Sequence, residues 1–346
     1  MTTGGALLAV LDRAHTPPPG HKRLANYKEW WHLNIIDEHQ GLDLIVNLSL
    51  NGDIHSAGQG RAYRILIAHE RDRGWTSDLS QREGIAVSAG DEALALDLEG
   101  IRFFPHGQAL RLSIDQDPAQ RIYGELEFLP QADPMMIWKN TTLGDGRINW
   151  FLVPDLLASG HITIEGRTYV LDNARSYHDH NWGHWLWGDN FGWEWGFAAA
   201  ISQTSSGPLS FVYDRTSDKG GMATVEHSIG IWKGAELACF FSRRDIRLTR
   251  IGTFDRAVQR IPGISHIVDD ARVVGIPKEI RIRAESGADW IDAIYRPQDV
   301  LQISIPSELG RGLTELNETM GELLLMGQIG SETISAHGRA CFEFVS

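Results

Sequence analysis

The sequence predicts an all-β protein made of two tandem antiparallel β-barrel domains with few short helices. Short runs in which apolar and polar residues alternate recur along the chain, and Gly, Asn and Asp separate them. Long stretches with helical periodicity are rare between these runs. Strands at this spacing favour antiparallel sandwiches or barrels over a parallel sheet. With 346 residues and about twelve such runs, two domains fit better than one small barrel.

The alternation is clearest in three segments. Residues 110–114, 162–165 and 340–344 carry an apolar side chain at every second position, which is the period of a half-buried strand. Gly166 supplies a hairpin turn directly after the second segment. Further strand-like runs are found at 42–50, 64–68, 93–98, 124–129, 209–213 and 279–284.

Helices are predicted at two places. Residues 307–326 have the clearest helical pattern, and the apolar stretch 6–11 has no positive residue ahead of it, which favours a short amphipathic helix over a signal peptide. A proline-rich linker follows at 16–20, and strand patterns restart at 191–201 beyond a tryptophan-rich segment. The predicted organisation is an N-terminal extension over 1–24, a first barrel over 25–187 and a second barrel over 188–346.

The composition argues against several classes of protein. Lys and Arg number 32 against 45 Asp and Glu, so the net charge is −13, and no dense basic cluster is present that would bind nucleic acid. Two cysteines, Cys239 and Cys341, are too few for a disulfide framework or a four-cysteine zinc site. No uncharged run approaches the roughly 20 apolar residues of a transmembrane helix. We expect a cytoplasmic protein, or one peripheral to a membrane.

The sequence lacks the common signatures of nucleotide and acyl-transfer chemistry. The pair Gly58 and Gly60 lacks the third glycine of a dinucleotide fingerprint, and no strand and helix alternation surrounds it. The chain has neither a phosphate-binding Gly-Lys-Ser/Thr loop nor a Gly-x-Ser-x-Gly nucleophile elbow. We therefore predict chemistry without a nucleotide or flavin cofactor.

One dense group of reactive side chains lies at residues 177–184, Tyr-His-Asp-His-Asn-Trp-Gly-His. A metal site would use His178, His180 and His184, because a His-x-His pair on a strand puts both imidazoles on one face and a third ligand follows. The second histidine motif that a cupin site requires is not evident. We therefore expect no metal, and His178, His180 and His184 remain the alternative set of metal ligands.

An acid-base interpretation uses the other face of the same strand. Tyr177, Asp179 and Asn181 would point together, opposite to the histidines. A carboxyl group among aromatic rings loses hydration, so its neutral form is favoured and it can donate a proton. Indole rings also attract a carbocation. The plainer alternative is that the histidines and tryptophans only pack and form hydrogen bonds at a domain junction.

Several motifs together resemble the carotenoid 1,2-hydratase (hydroxyneurosporene synthase) family. The resemblance extends from about Tyr27 to the C-terminus, and the 177–183 run is its most specific part. The residues that carry it are Glu29-Trp30-Trp31, Trp150 followed by Pro154 and Gly160, residues 177–183, and Trp193-Glu194-Trp195-Gly196. Members are two-domain lipocalin-like proteins, in a superfamily that includes lipocalin-like Diels-Alderases.

The resemblance implies a cofactor-free enzyme, a lyase or an isomerase, that binds a hydrophobic polyene or isoprenoid. It implies Asp179 as the proton donor to an alkene, with Tyr177 and Trp150 facing the resulting cation. Supporting or substrate-binding roles are expected for His178, His180, Asn181, Trp182, Trp193, Trp195 and Trp31.

The fate of the cation stays open at this point. Water would give a hydratase and an internal alkene would give a cyclase. A cavity that only folds a polyene would give a pericyclase. A lipocalin-like carrier would bind an apolar ligand without reaction. Because the chain is acidic and has no basic membrane-facing patch, a terpenoid or polyketide smaller than a carotenoid is expected.

Overall fold

The fold is nearly all β-structure in two antiparallel sheets. The computed structural model describes residues 4–84, 88–98, 100–117, 120–202, 208–261, 275–310 and 312–345. The described chain divides into two compact units, the first made of Met1–Thr142 and Gly146–Trp185 and the second of Leu143–Asp145 and Leu186–Ser346. The predicted class, all-β with two tandem antiparallel domains and few helices, is confirmed.

The first twelve strands form the sheet of the first unit, with one helix and one 3₁₀ turn before them. These elements are α1 (Gly4–Leu11), the 3₁₀ turn (Leu24–Asn26), β1 (Tyr27–Asp37), β2 (Leu42–Gly52), β3 (Gly60–Glu70), β4 (Gly74–Glu83), β5 (Ser88–Ala89), β6 (Leu96–Asp97), β7 (Ile101–His106), β8 (Ala109–Ile114), β9 (Ile122–Pro130), β10 (Met135–Leu143), β11 (Gly146–Ile164) and β12 (Arg167–His184). No described helix is long and apolar enough to cross a membrane.

The second unit contains a sheet of ten described strands. They are β13 (Gly192–Ser202), β14 (Leu209–Ser217), β15 (Thr224–Lys233), β16 (Glu236–Ser242), β17 (Ile246–Ile251), β18 (Val258–Ile261), β19 (Glu279–Ser286), β20 (Asp289–Pro306), β21 (Leu313–Ile329) and β22 (Glu332–Val345). The estimate of about twelve strands for the whole chain is therefore too low, because the sheets contain 12 and 10 described strands.

The described ladders order the strands of each sheet in an open path. The first sheet runs β4-β3-β2-β1-β12-β11-β9-β8-β7-β6-β5, with β10 also paired to β11. The second runs β16-β15-β14-β13-β22-β21-β20-β19-β17, with β18 added parallel to β20. In the first sheet β12 lies between β1 and β11, which makes it a central strand.

Each unit has its own hydrophobic core. The buried cluster of the first unit takes alternate residues of β1 and β11, such as Trp31, Leu33, Phe151 and Val153. The cluster of the second unit takes alternate residues of its own strands, including Phe342 and Phe344. Strand side chains alternate between faces, so the residues between these positions point away from the cores.

A buried carboxylate holds the curl of the first sheet. Asp78 of β4 forms an ion pair with Arg64 of β3 at 2.7 Å. Its second oxygen accepts backbone hydrogen bonds from Arg121 at 2.8 Å and Ile122 at 3.3 Å, where β9 begins. Because β4 and β9 are far apart in the strand order, these contacts require the sheet to curl back on itself.

The hairpin between β11 and β12 fits the predicted turn. Glu165 and Gly166 occupy the two turn positions with φ of 47° and 83°, and Ile164 pairs with Arg167. Two positive φ angles define the hairpin turn whose twist matches that of the strands, and Gly adopts them without strain. The turn sets the register of β12.

The helix predicted over 307–326 is wrong. The segment lies mostly in β21, which pairs with β20 on one edge and β22 on the other. From Gly321 to Gly327 alternate residues are buried, which is the strand period. The apolar run 323–326 fits either the helical or the strand period, and pairing on both edges makes this segment a strand. Of the run at 93–98, only Leu96–Asp97 is a strand.

The N-terminal segment packs into the first unit. Leu8 and Ala14 belong to its buried cluster. The backbone N–H of Ala14 donates to Gly90, and the Trp31 indole N–H donates to the carbonyl of Asp12 at 2.9 Å. Residues assigned above to an N-terminal extension thus contribute to the core of this unit.

We predict that Asp78→Asn lowers the free energy of unfolding by about 3 kcal/mol, because it leaves the buried Arg64 charge uncompensated. Urea unfolding monitored by circular dichroism measures this change. Asp115→Asn is the matched control, since Asp115 is exposed and lies 3.7 Å from an exposed Arg102, and it should cost less than about 1 kcal/mol. Equal midpoints for the two variants would contradict the role of Asp78.

Candidate functional site

The central strand β12 separates the reactive residues of 177–184 onto two faces. His178 and His180 contact the core cluster of the first unit, with the His178 ring 5.6 Å from that of Phe103 and the His180 ring 4.4 Å from that of Trp31. Tyr177, Asp179 and Asn181 alternate with them and point to the opposite face. Both faces are buried over 176–181.

The neighbouring strands add their alternate residues to the second face. Asp179 is paired with His32 of β1 and Leu152 of β11. Tyr177 is paired with Asn34, and Asn181 with Trp150. We call this surface the acid face, and it consists of His32, Asn34, Trp150, Leu152, Tyr177, Asp179 and Asn181.

Hydrogen bonds fix the polar groups of the acid face. Asn181 Nδ2 donates to Asp179 Oδ1 at 2.6 Å, so one oxygen of the carboxyl group is held by the amide. Asn34 Nδ2 donates to His32 Nε2 at 3.0 Å, which requires that nitrogen to be an unprotonated acceptor. Burial, and then the nearby His178, lower the pKa of His32 to about 3. His32 is therefore neutral beside Asp179.

The apolar part of the acid face is aromatic. The Trp150 ring packs edge-on against Trp138 of β10, with ring centroids 4.7 Å apart. Trp150 and Leu152 are buried, as is Tyr177. An aspartate in such surroundings is shielded from water, and the rings can face positive charge. This combination can donate a proton to an apolar substrate and stabilise the resulting cation.

The core face of β12 carries a buried chain of carboxyl and imidazole groups. His178 Nδ1 lies 2.9 Å from the carbonyl oxygen of His32, and its Nε2 lies 2.9 Å from Asp12 Oδ2. His180 Nδ1 lies 3.1 Å from Asp12 Oδ1, and its Nε2 lies 2.8 Å from Glu29 Oε1. The order Glu29, His180, Asp12, His178 alternates carboxylates and imidazoles, so each imidazole nitrogen faces an oxygen atom.

The charges of this chain stabilise one another. Burial lowers the pKa of His180, but Asp12 and Glu29 outweigh it and raise that pKa to about 9. Burial raises the pKa of Asp12, and His178 and His180 together lower it below its ordinary value. Glu29 also accepts the Tyr27 hydroxyl at 3.0 Å and the Thr16 hydroxyl at 3.1 Å. His180 is thus a buried cation near neutral pH.

Two predicted aromatic site residues pack inside the first unit. Trp31 stacks on His180, and Trp182 stacks on His15 with ring centroids 3.9 Å apart. Together with His178 and His180, they lie on the core face, away from Asp179. The structure therefore brings Trp150, Tyr177, Asp179 and Asn181 together, and it places His178, His180, Trp182 and Trp31 on the opposite side of the same strand.

The histidines form no metal-ligand cluster in the part of the chain that the structure describes. No group of three or more His, Cys, Asp or Glu side chains among those residues has suitable geometry. His178 and His180 instead contact Asp12 and Glu29. His184, at the end of β12, is half-buried, and burial with nearby positive groups lowers its pKa.

Trp193 and Trp195 lie in β13 of the second unit, beside a pair of carboxyl groups. Trp195 is paired with Glu343, and Glu343 is directly opposite Glu318 on the next strand. The Trp193 indole N–H donates to Glu343. Burial raises the pKa of Glu343, although the hydrogen bonds with Trp193 and Glu318 partly oppose this. The neutral form of Glu343 is therefore more favoured than that of an exposed glutamate.

Several of these residues were not predicted from the sequence. His32 and Asn34 alternate with Trp31 and Leu33, so the strand period could have placed them on one face of β1. Only the pairing of β1 with β12 puts that face beside Asp179. Asp12 offers no such signal, because it lies 166 positions from His178. The glutamate pair was not expected because Glu318 lies in the segment 307–326, which was predicted to be a helix.

Comparisons with known proteins reveal a shared fold. No protein-family model and no curated protein matches the sequence. A Nitrosomonas europaea protein provisionally named AttH has a TM-score of 0.63 at 15% identity, with 96% of this chain and 98% of that chain covered. Kievitone hydratase from Nectria haematococca has a TM-score of 0.58 at 13% identity, with 99% and 95% covered.

CghA crystallised with Sch210972 is a further similar structure. Its TM-score is 0.65 at 13% identity, with 98% of this chain and 97% of that chain covered. Identities this low establish similarity of fold alone. The predicted lipocalin-like fold is confirmed in this sense.

We predict that the free energy of unfolding falls between pH 6.5 and 9. The folded pKa of His180 is about 9, above the value of about 6.5 for an unfolded chain. Its stabilisation is fully present below about pH 6.5 and is lost as the pH rises through about 9, by an amount on the order of 3 kcal/mol. Urea unfolding at several pH values measures the slope. The slope should flatten in His180→Gln and persist in His184→Gln, and an unchanged slope in His180→Gln would contradict the assignment.

Proposed function

We propose that the protein is a cofactor-independent enzyme that protonates an alkene of a hydrophobic small molecule at the acid face. Asp179 is the general acid, and Tyr177 and Trp150 face the cation. The observation that supports this most directly is the position of Asp179, a buried carboxyl group with one oxygen held by Asn181 and with buried aromatic rings on the same face.

The proposed step balances protons without a cofactor. The proton leaves the Asp179 carboxyl group and bonds to one alkene carbon, and the other carbon becomes a cation. Water adds to that carbon, and the oxonium returns a proton to the Asp179 carboxylate. The net reaction is hydration of the alkene, and Asp179 is regenerated.

The acid face also suits a cyclisation. If an internal alkene attacks the cation instead of water, a carbon–carbon bond forms, and loss of a proton to Asp179 completes an isomerisation. Asn181 orients the carboxyl group in either case. His178 and His180 act from the core face as positioning residues, because they hold the strand that carries Asp179.

Two resemblances support hydration as the reaction class. One structure similar to this chain is named a hydratase, and the motif resemblance to carotenoid 1,2-hydratases suggests the same reaction class. A terpenoid or polyketide polyene is the proposed substrate. Pericyclic catalysis and binding of the ligand without reaction are the competing functions. Deuterium incorporation distinguishes alkene protonation from both.

We predict that the protein incorporates deuterium at carbon when it is incubated with a panel of polyene and isoprenoid compounds in deuterium oxide. The exchangeable Asp179 proton carries the label to the alkene, so mass spectrometry of the product detects it. Asp179→Asn should lower the rate by about 10²- to 10⁴-fold, which is the usual contribution of a general acid.

Asp78→Asn is the matched control, because it alters a buried carboxylate on the core side of the same unit. Its rate per folded molecule should equal that of the wild type. Turnover of folded Asp179→Asn at the wild-type rate would refute the acid role. Product without carbon-bound deuterium would instead indicate a pericyclase, and unchanged ligand would indicate a carrier.

A further inference from the structure

Two polar atoms of the acid face are buried without a hydrogen-bond partner among the described residues. They are the indole nitrogen Nε1 of Trp150 and the amide oxygen Oδ1 of Asn34. Both side chains are more than nine-tenths buried, with exposures of 4% and 1%. Buried polar groups are rarely left unpaired in proteins, so each calls for a partner that the described chain does not supply.

The identity of each atom sets the kind of partner. Trp150 Nε1 carries a hydrogen and can only donate, so it needs an acceptor. The Asn34 amide is oriented by its donation to the unprotonated Nε2 of His32 at 3.0 Å. This leaves its carbonyl oxygen as an acceptor that needs a donor. Trp150 thus needs a hydrogen-bond acceptor as its partner, and Asn34 needs a hydrogen-bond donor.

The strand register places these two residues on either side of Asp179. Asn34 is paired with Tyr177, two residues before Asp179, and Trp150 is paired with Asn181, two residues after it. They lie on opposite flanking strands, β1 and β11. Four residues along a strand and two strand spacings across it separate their Cα atoms by roughly 16 Å.

We infer that the substrate is an elongated, oxygen-bearing molecule and not a hydrocarbon. This rests on the proposed function of the acid face. An acceptor oxygen at one end meets the Trp150 indole N–H, a hydroxyl or amide N–H near the other end meets Asn34 Oδ1, and the reacting alkene lies between them beside Asp179.

The two buried polar atoms would make binding selective for an oxygen-bearing substrate over a hydrocarbon. A pocket that provides hydrogen bonds discriminates strongly against an analogue that lacks the matching group, because the pocket's own polar atoms are then left unpaired. A hydrocarbon would fill the aromatic surface and still leave both atoms unsatisfied. A hydroxyl at each end would satisfy both.

Binding of three probes with the same carbon chain tests the inference. The probes are farnesene, farnesol and ω-hydroxyfarnesol, which carry no hydroxyl, one terminal hydroxyl and two terminal hydroxyls. Equilibrium dialysis with mass-spectrometric quantification gives their dissociation constants. We expect affinity to rise about five- to tenfold with each hydroxyl.

Single variants identify the atoms responsible. Asn34→Leu and Trp150→Phe should each remove the advantage of one hydroxyl, so that the affinity ratio of the diol to farnesene falls about five- to tenfold. The ratio cancels any loss of apolar contact common to all three probes. Trp232→Phe, a buried tryptophan of the second unit, is the control and should leave the ratio unchanged.

Equal affinity for the three probes, failure of the diol to bind, or a ratio that survives in both variants would overturn the inference. Its failure is separable from that of the proposed function. In the wild-type protein, affinity that rises with each hydroxyl but no deuterium incorporation would reject the acid role alone, and Asp179→Asn should retain the affinity ratio. Deuterium incorporation together with equal affinities would reject the oxygen-bearing substrate alone.

Discussion

Strand β12 has no solvent-facing side between residues 176 and 181. Its edges pair with β1 and β11, and both its faces are buried. A polar side chain here has to form hydrogen bonds or ion pairs, because transfer of an unpaired polar group out of water is costly. The alternation of side chains then sends His178 and His180 to one environment and Asp179 to another. The organisation of the site follows from this constraint.

The two faces of β12 are linked through His32. The ring of His178, on the core face, lies against the carbonyl oxygen of His32, whereas the ring of His32 lies on the acid face. Burial and the neighbouring His178 keep His32 neutral, which leaves its Nε2 free to accept from Asn34. The chain of carboxyl and imidazole groups on the core face therefore influences the hydrogen bonding beside Asp179 from the opposite side of the strand.

The N-terminal segment contributes Asp12 to the buried groups on the core face of β12. Asp12 connects the two histidines of the core face, and its carbonyl oxygen accepts the indole N–H of Trp31. A lipocalin-like fold can support unrelated functions, because its chemistry depends on a few residues placed on a common scaffold. In this chain the acid face provides a buried acid, its amide partner and two buried polar atoms that have no hydrogen-bond partner among the described residues.

Much of the architecture could be predicted from local sequence patterns. The alternation at 110–114 and 340–344 identified strands, Gly166 identified a hairpin turn, and the period of two separated Asp179 from the histidines. These predictions succeed because strand periodicity and turn chemistry depend on neighbouring residues alone. The helix prediction for 307–326 was wrong because the apolar run in this segment suits both a helix and a strand. Pairing with β20 and β22 decides between them.

The sequence by itself determined the all-β class, the turns, and which residues of 177–184 share a face. Only the tertiary structure decided the partners of those residues. Asp12 meets His178 across 166 positions, and the pairing of β1 with β12 puts His32 and Asn34 beside Asp179 and Tyr177. Glu318 and Glu343 meet in the same way across β21 and β22. The physical reason is that strand pairing and burial join distant parts of the chain, so charge balance and unsatisfied hydrogen-bond groups are properties of the folded molecule.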